Sequence, residues 1–185
     1  MKYNIQDHLL QVLKNVPLNL TLKNKFLLRC QEGNLTRDEN PFSHLCIYFA
    51  AYDPTHKRVF MGEHIKSGLW LFNGGHIDKY ETLEEALYRE MNEEWGVIQK
   101  TNIQFPSLFT LTEINNPKKQ ICKWHYDLWY MIPFDKKKFH PNEKFLAKEF
   151  YKWGWKTINV AKLLTQDKAT LQGIDYIDNL LLNSP

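Results

Sequence analysis

The chain has 185 residues, 43% hydrophobic and 14% aromatic, which suits one packed domain with an appendage and excludes wholesale disorder. Its 24 basic and 21 acidic side chains leave a formal charge of +3. The basic residues are scattered and form no stripe, so nucleic acid is not an expected partner, whereas a small anionic molecule is compatible. Cys30, Cys46 and Cys122 are odd in number, far apart and without a CxxC pair, which speaks against a disulfide framework or a zinc site and for a reducing compartment. There is no apolar run of bilayer length and no signal-type apolar core in MKYNIQDHLL. The expectation is a soluble cytoplasmic protein with no membrane partner.

Ile5, Leu9, Val12, Leu13 and Val16 recur at helical spacing until Pro17, and Leu22, Phe26, Leu27 and Cys30 form a second apolar stripe. Together they predict a helical extension, residues 1–38, packed on a main domain of residues 39–185. From Pro41 the texture becomes that of strands. HLCIYFAAYDP and RVFMGEHI flank a turn at DPTHK, GLWLFNGG is a short strand running into paired glycines, and FPSLFTLTEI and KWHYDLWYMIPF are separated by a turn at NNPKK. Tyr126, Leu128, Tyr130 and Ile132 alternate with Asp127, Trp129 and Met131, so both faces are apolar, as in a central buried strand. FYKWGWKTI predicts a last strand, followed by helices at NVAKLL and TLQGIDYIDNLLL. Strands interrupted by a few helices point to an α/β (α+β) fold with a mixed sheet flanked by helices.

The segment from Gly74 to Val97 differs from the rest: it holds seven acidic and two basic residues. Thr82 and Glu85 fit a capping box, Gly96 is placed to end the helix, and Leu83, Leu87 and Met91 make an apolar stripe. At about 100° per residue, Glu90, Glu93 and Glu94 fall in one narrow arc. Carboxylates converging there repel one another unless a cation compensates, and hard oxygen donors suit Mg²⁺ or Mn²⁺ over zinc.

Gly75, five residues, Glu81, seven residues, then Arg89, Glu90, Met91, Asn92, Glu93, Glu94, Trp95, Gly96 and Val97 matches the box G-x5-E-x7-R-E-U-x-E-E-x-G-U, U being bulky and aliphatic. The chain resembles the Nudix hydrolases. His64, Lys66, Gly68 and Trp70 ahead of GGHID look like a subgroup of that family. The resemblance implies the Nudix α/β/α sandwich. It also implies Mg²⁺, with Mn²⁺ as substitute, held by Glu90, Glu93, Glu94 and the Gly75 carbonyl. It gives Arg89 and Glu81 a supporting role and makes Glu90, Glu94 and Glu149 the catalytic carboxylates. Glu149 stands where many members carry a loop carboxylate that acts as base or metal ligand, and Glu143 competes for that role. His44, Lys66, Trp70 and His125 are candidate substrate contacts, with His64, His76 and the aromatic residues Phe72, Trp124, Trp129 and Trp153 around them. Asn73 stands where many members have proline.

The implied activity is metal-dependent hydrolysis of the pyrophosphate linkage of a nucleoside diphosphate joined to a moiety X, in a protein whose relatives are often homodimers. Two alternatives stay open. One is a catalytically silent Nudix-fold module that binds a nucleotide. The other is isopentenyl diphosphate isomerase, for which Cys46 stands on a suitable early strand but the intact box is unsuitable.

Overall fold

Asn4 caps the first helix, its side chain accepting from the Gln6 N–H at 2.9 Å, and α1 (Ile5–Asn15) runs to the Pro17 break. Asn19 caps α2 (Leu20–Glu32) in the same way, through the Leu22 N–H. In this computed structural model, residues 4–96, 105–114 and 121–183 are described. The NNPKK turn and Val97 lie outside them.

The remaining elements are β1 (Ser43–Asp53), β2 (Arg58–His64), β3 (Trp70–Leu71), β4 (Asn73–His76), α3 (Leu83–Trp95), β5 (Leu108–Glu113), β6 (Trp124–Pro133), α4 (Glu143–Glu149), β7 (Phe150–Thr157), α5 (Ile158–Leu164) and α6 (Lys168–Asn183). The described strands form one mixed sheet in the order β3-β2-β1-β6-β5, with β4 also on β1 and β7 also on β2. β1 and β6 are parallel, with Ile47 opposite Leu128, and the other pairs are antiparallel. β6 is therefore the buried inner strand that its two apolar faces predict.

Alternation along β1 and β6 sends side chains to two cores. Leu45, Ile47, Phe49, Leu128, Tyr130 and Ile132 join Leu9, Val12, Leu13, Phe26 and the apolar stripe of α3 on one face. Ala50, Trp129 and Met131 join Ile158, Ile174, Ile177 and Leu181 from α5 and α6 on the other. This is an α/β/α sandwich, and α1 and α2 contribute to the same core as the sheet. Among the described residues no helix is long and apolar enough to cross a membrane.

Two details differ from the sequence expectation. The single strand at GLWLFNGG is two: Trp70 and Leu71 pair with β2, while Asn73 to His76 pair with β1. Phe72, buried in the second core, marks the change of partner. Residues 143–149 form an unexpected helix, α4, capped by Asn142 and carrying Leu146 as its buried side chain.

Candidate active site

α3 is fixed at both ends. The Thr82 hydroxyl accepts from the Glu85 N–H at 2.9 Å, and the Glu85 carboxylate accepts from the Thr82 N–H at 2.8 Å. At the other end Gly96 turns left-handed, with φ 66°, and its N–H donates to the Asn92 carbonyl. The helix buries Leu83, Ala86, Leu87 and Met91, and on that same buried side lie Glu90 and Glu94. Glu93 is outside it, with its side chain 57% exposed.

Arg89 ties this helix to the loop before it. Its guanidinium donates to Glu81 at 2.6 and 2.9 Å, to Glu90 at 2.8 Å and to the His76 carbonyl at 2.8 Å, and lies 3.5 Å from Glu93. Burial pushes the Glu90 carboxyl up, with Arg89 opposing. Glu94 lies deeper. Burial, opposed by a hydrogen bond from the Asn73 amide and reinforced by the charge of Glu90, pushes its carboxyl up to about 8. The Gly74 N–H also donates to it, at 3.1 Å. A Cβ at position 75 would collide with the Glu90 carboxylate, so the glycine lets that carboxylate lie directly against the backbone. Two buried, mutually repelling carboxylates beside an open backbone form a hard-oxygen donor set that fits Mg²⁺ or Mn²⁺.

These carboxylates border a cavity of about 830 Å³, whose lining includes Tyr48, Lys66, Gly75, Glu93, Phe145 and Glu149. Glu149 is the last residue of α4, directly before β7, and not a loop residue. Its Oε2 lies 3.3 Å from Lys66 Nζ and 3.7 Å from His64 Nε2. Glu143, at the start of α4, is exposed and is not among the lining residues.

The four expected substrate contacts separate. Lys66 and His125 line the cavity. His44 does not: it is fully buried, its ring Nδ1 2.9 Å from the Asn40 carbonyl. Trp70 does not either, because β3 turns its ring under Lys156 Nζ, 4.9 Å from the ring centre. Composition and spacing also give no sign that Asn73 bonds Glu94. The only signal is its departure from the usual proline.

The NUDIX domain profile matches residues 44–174. The RNA pyrophosphohydrolase of Vibrio atlanticus is 29% identical over 108 residues, covering 54% of this chain and 63% of that protein. That of Photobacterium profundum is 28% identical over 109 residues, covering 55% and 63%. The match therefore spans less than two thirds of the length of these curated relatives. Among solved structures, the E. coli dihydroneopterin triphosphate pyrophosphohydrolase aligns with a TM-score of 0.61 and 17% identity, over 77% of this chain and 99% of that one. The NUDIX domain of Shewanella oneidensis NrtR complexed with ADP ribose aligns at 0.55 and 16%, over 75% and 88%. At such identities the structural likeness is one of fold. The family match covers most of the chain and contains every box residue described above, and so the chain belongs to the NUDIX domain family.

Proposed function

We propose that this chain is a divalent-cation-dependent pyrophosphohydrolase that cleaves a phosphoanhydride in a nucleoside diphosphate linked to a further group. The observation that carries the reading is the meeting of Glu90, Glu93, Glu94 and Glu149 on one cavity of about 830 Å³, within the size range of small-molecule sites. Glu90, Glu93, Glu94 and the Gly75 carbonyl hold Mg²⁺ or Mn²⁺. When bound, the cation neutralises charge developing on phosphate oxygens and acidifies the attacking water. Arg89, anchored by Glu81, positions Glu90. Glu149 accepts the proton of the attacking water, with Lys66 and His64 orienting its carboxylate and Lys66 able to turn to a phosphate oxygen.

A screen of nucleoside diphosphate derivatives, dinucleoside polyphosphates, oxidised nucleotides and 5′-phosphorylated or capped RNA with Mg²⁺ tests this reading. RNA belongs in the screen because the curated relatives are named for acting on it. EDTA abolishes turnover, and Glu94→Gln lowers it by orders of magnitude while the fold survives. Glu149→Gln lowers kcat by about 10² to 10⁴-fold with Mg²⁺ affinity and KM unchanged. Tight nucleotide binding without turnover across the whole screen would overturn the enzyme reading in favour of a binding module.

A further inference from the structure

On the wall of the cavity, where Cys46, His76 and His125 are lining residues, β1, β4 and β6 bring together side chains to which the proposed hydrolysis assigns no role. One ring nitrogen each from His44, His76 and His125 and the sulfur of Cys46 all lie within 4.8 Å of one another. The register makes this so: His44 is opposite His125, and Cys46 is opposite His76. The imidazoles meet in pairs, with ring centres 4.9, 5.0 and 5.3 Å apart. His44 and Cys46 are buried, and His125 is 8% exposed. Among the described residues, the Nε2 atoms of His76 and His125 are buried without a hydrogen-bond partner. Leaving two buried ring nitrogens unsatisfied is costly, and a metal bond would remove that cost.

We propose that His44, Cys46, His76 and His125 form a second metal site, distinct from the carboxylate cluster, that takes a borderline-soft transition metal, foremost Zn²⁺. Nitrogen and thiolate donors select such ions over Mg²⁺. A tetrahedral zinc with Zn–N near 2.0–2.1 Å and Zn–S near 2.3 Å spaces its ligand atoms roughly 3.3–3.8 Å apart. The four candidate ligand atoms lie within 4.8 Å of one another, so a tetrahedral ion draws the widest pairs in by up to about an ångström. The tautomer of His44 suits the role, because Nδ1–H donates to the Asn40 carbonyl and leaves the Nε2 lone pair free to ligate. That lone pair faces the Cys122 sulfur, 3.7 Å away. Four protein ligands close the coordination sphere, so the ion ties three strands together and keeps no open position for a reacting water. Through His76 it holds β4 next to Gly75, whose carbonyl serves the first site. His125 is thereby reassigned from substrate contact to metal ligand. The inference stands independently of the hydrolase reading.

The test uses the untagged full chain, loaded with excess Zn²⁺ and desalted. Elemental analysis is expected to find about one tightly held zinc per chain, retained in the presence of millimolar Mg²⁺. Glu94→Gln and Cys122→Ser keep it, whereas Cys46→Ser and His125→Gln lose at least nine tenths of it. Co²⁺ substitution of the wild type gives the thiolate-to-metal charge-transfer band and strong visible bands of a tetrahedral site. That spectrum decides the question even if a variant fails to fold. Wild type that retains less than a tenth of an equivalent overturns the proposal. So does bound cobalt with no thiolate band, or full zinc in Cys46→Ser with loss in Cys122→Ser.

Discussion

Asn73 is one residue on which the electrostatics of the cavity turns. Its amide donates to Glu94, and that bond favours the ionised form against burial. Asn73→Ala is therefore expected to leave the proton on Glu94 up to higher pH, so that under the proposed function Mg²⁺ must compete harder. Losing one bond to a charged group is worth about 1.5–3 kcal/mol, so the apparent Mg²⁺ affinity at pH 7 falls about tenfold or more, and the gap narrows at pH 9. A Mg²⁺ titration of activity at the two pH values checks this, and unchanged affinity at pH 7 would sink it. Asp127, buried on β6, tests a different balance. Burial pushes its carboxyl up to about 7, although Thr112 and Thr110 donate to it. Its folded value exceeds the unfolded value of 3.8, so its stabilising contribution is complete below that pH and is lost as pH rises toward 7. Asp127→Asn does not titrate. Its melting temperature relative to wild type is expected to climb by a few °C between pH 4 and pH 8, and a difference that stays flat over that range would refute the sign. The sequence marks the box carboxylates by their spacing, but Asn73 and Asp127 carry no such mark. Their roles depend on which strand lies opposite, and a single strand's pattern does not contain that.

At the scale of elements, α3 is legible because three local rules agree on it: capping box, apolar stripe and terminal glycine. Gly96 is the least replaceable of the three. At φ 66° an added Cβ is strained, and it would also stand 3.0 Å from Asn142 Cβ and 3.3 Å from the Phe145 ring. Gly96→Ala is expected to cost about 1–2 kcal/mol, seen as a lower denaturation midpoint, with kcat per folded molecule nearly kept. A midpoint equal to wild type would show that α3 and α4 can shift apart freely. α4 itself escapes sequence reading for a physical reason. Seven residues with one buried side chain make too short a period to detect, and the helix is held by its Asn142 cap and by the Asn142 N–H donating to the Trp95 carbonyl at 2.7 Å. The division of GLWLFNGG into β3 and β4 is hidden in the same way, since each half reads as strand and only the partner changes.

For the whole molecule, the fold class was readable and the internal boundary is the part that needs experiment. Alternation and helical periodicity indicate a mixed sheet with helices, but strand order depends on long-range pairing that no local pattern states. α1 and α2 read as an appendage by position, yet Leu9, Val12, Leu13 and Phe26 are fully buried in the core shared with Ile47 and Leu128. Removing residues 1–38 is therefore expected to uncover that face. The shortened chain should lose its cooperative melt and aggregate, because large-to-small losses of this kind cost about 2–5 kcal/mol per buried side chain against a typical total of about 5–15 kcal/mol. A soluble, cooperatively melting 39–185 fragment, detected by size-exclusion chromatography and circular dichroism, would show that the helices are dispensable.

β1 serves the two faces by parity. Leu45, Ile47 and Phe49 go to one core, and His44, Cys46 and Tyr48 share the opposite face, where Cys46 and Tyr48 line the cavity, with β4 and β6 reading that alternation on either edge. A one-residue insertion or deletion within β1 would exchange the two sets, placing imidazole and thiol in the core and apolar side chains on the cavity face. Sequence drift along this strand is thus confined to substitution, while the loops at its ends remain free to change in length. Among functional relatives that share these side chains, the spacing from His44 to Tyr48 should be invariant, and a library of single-codon insertions across residues 44–49 should yield no folded survivors.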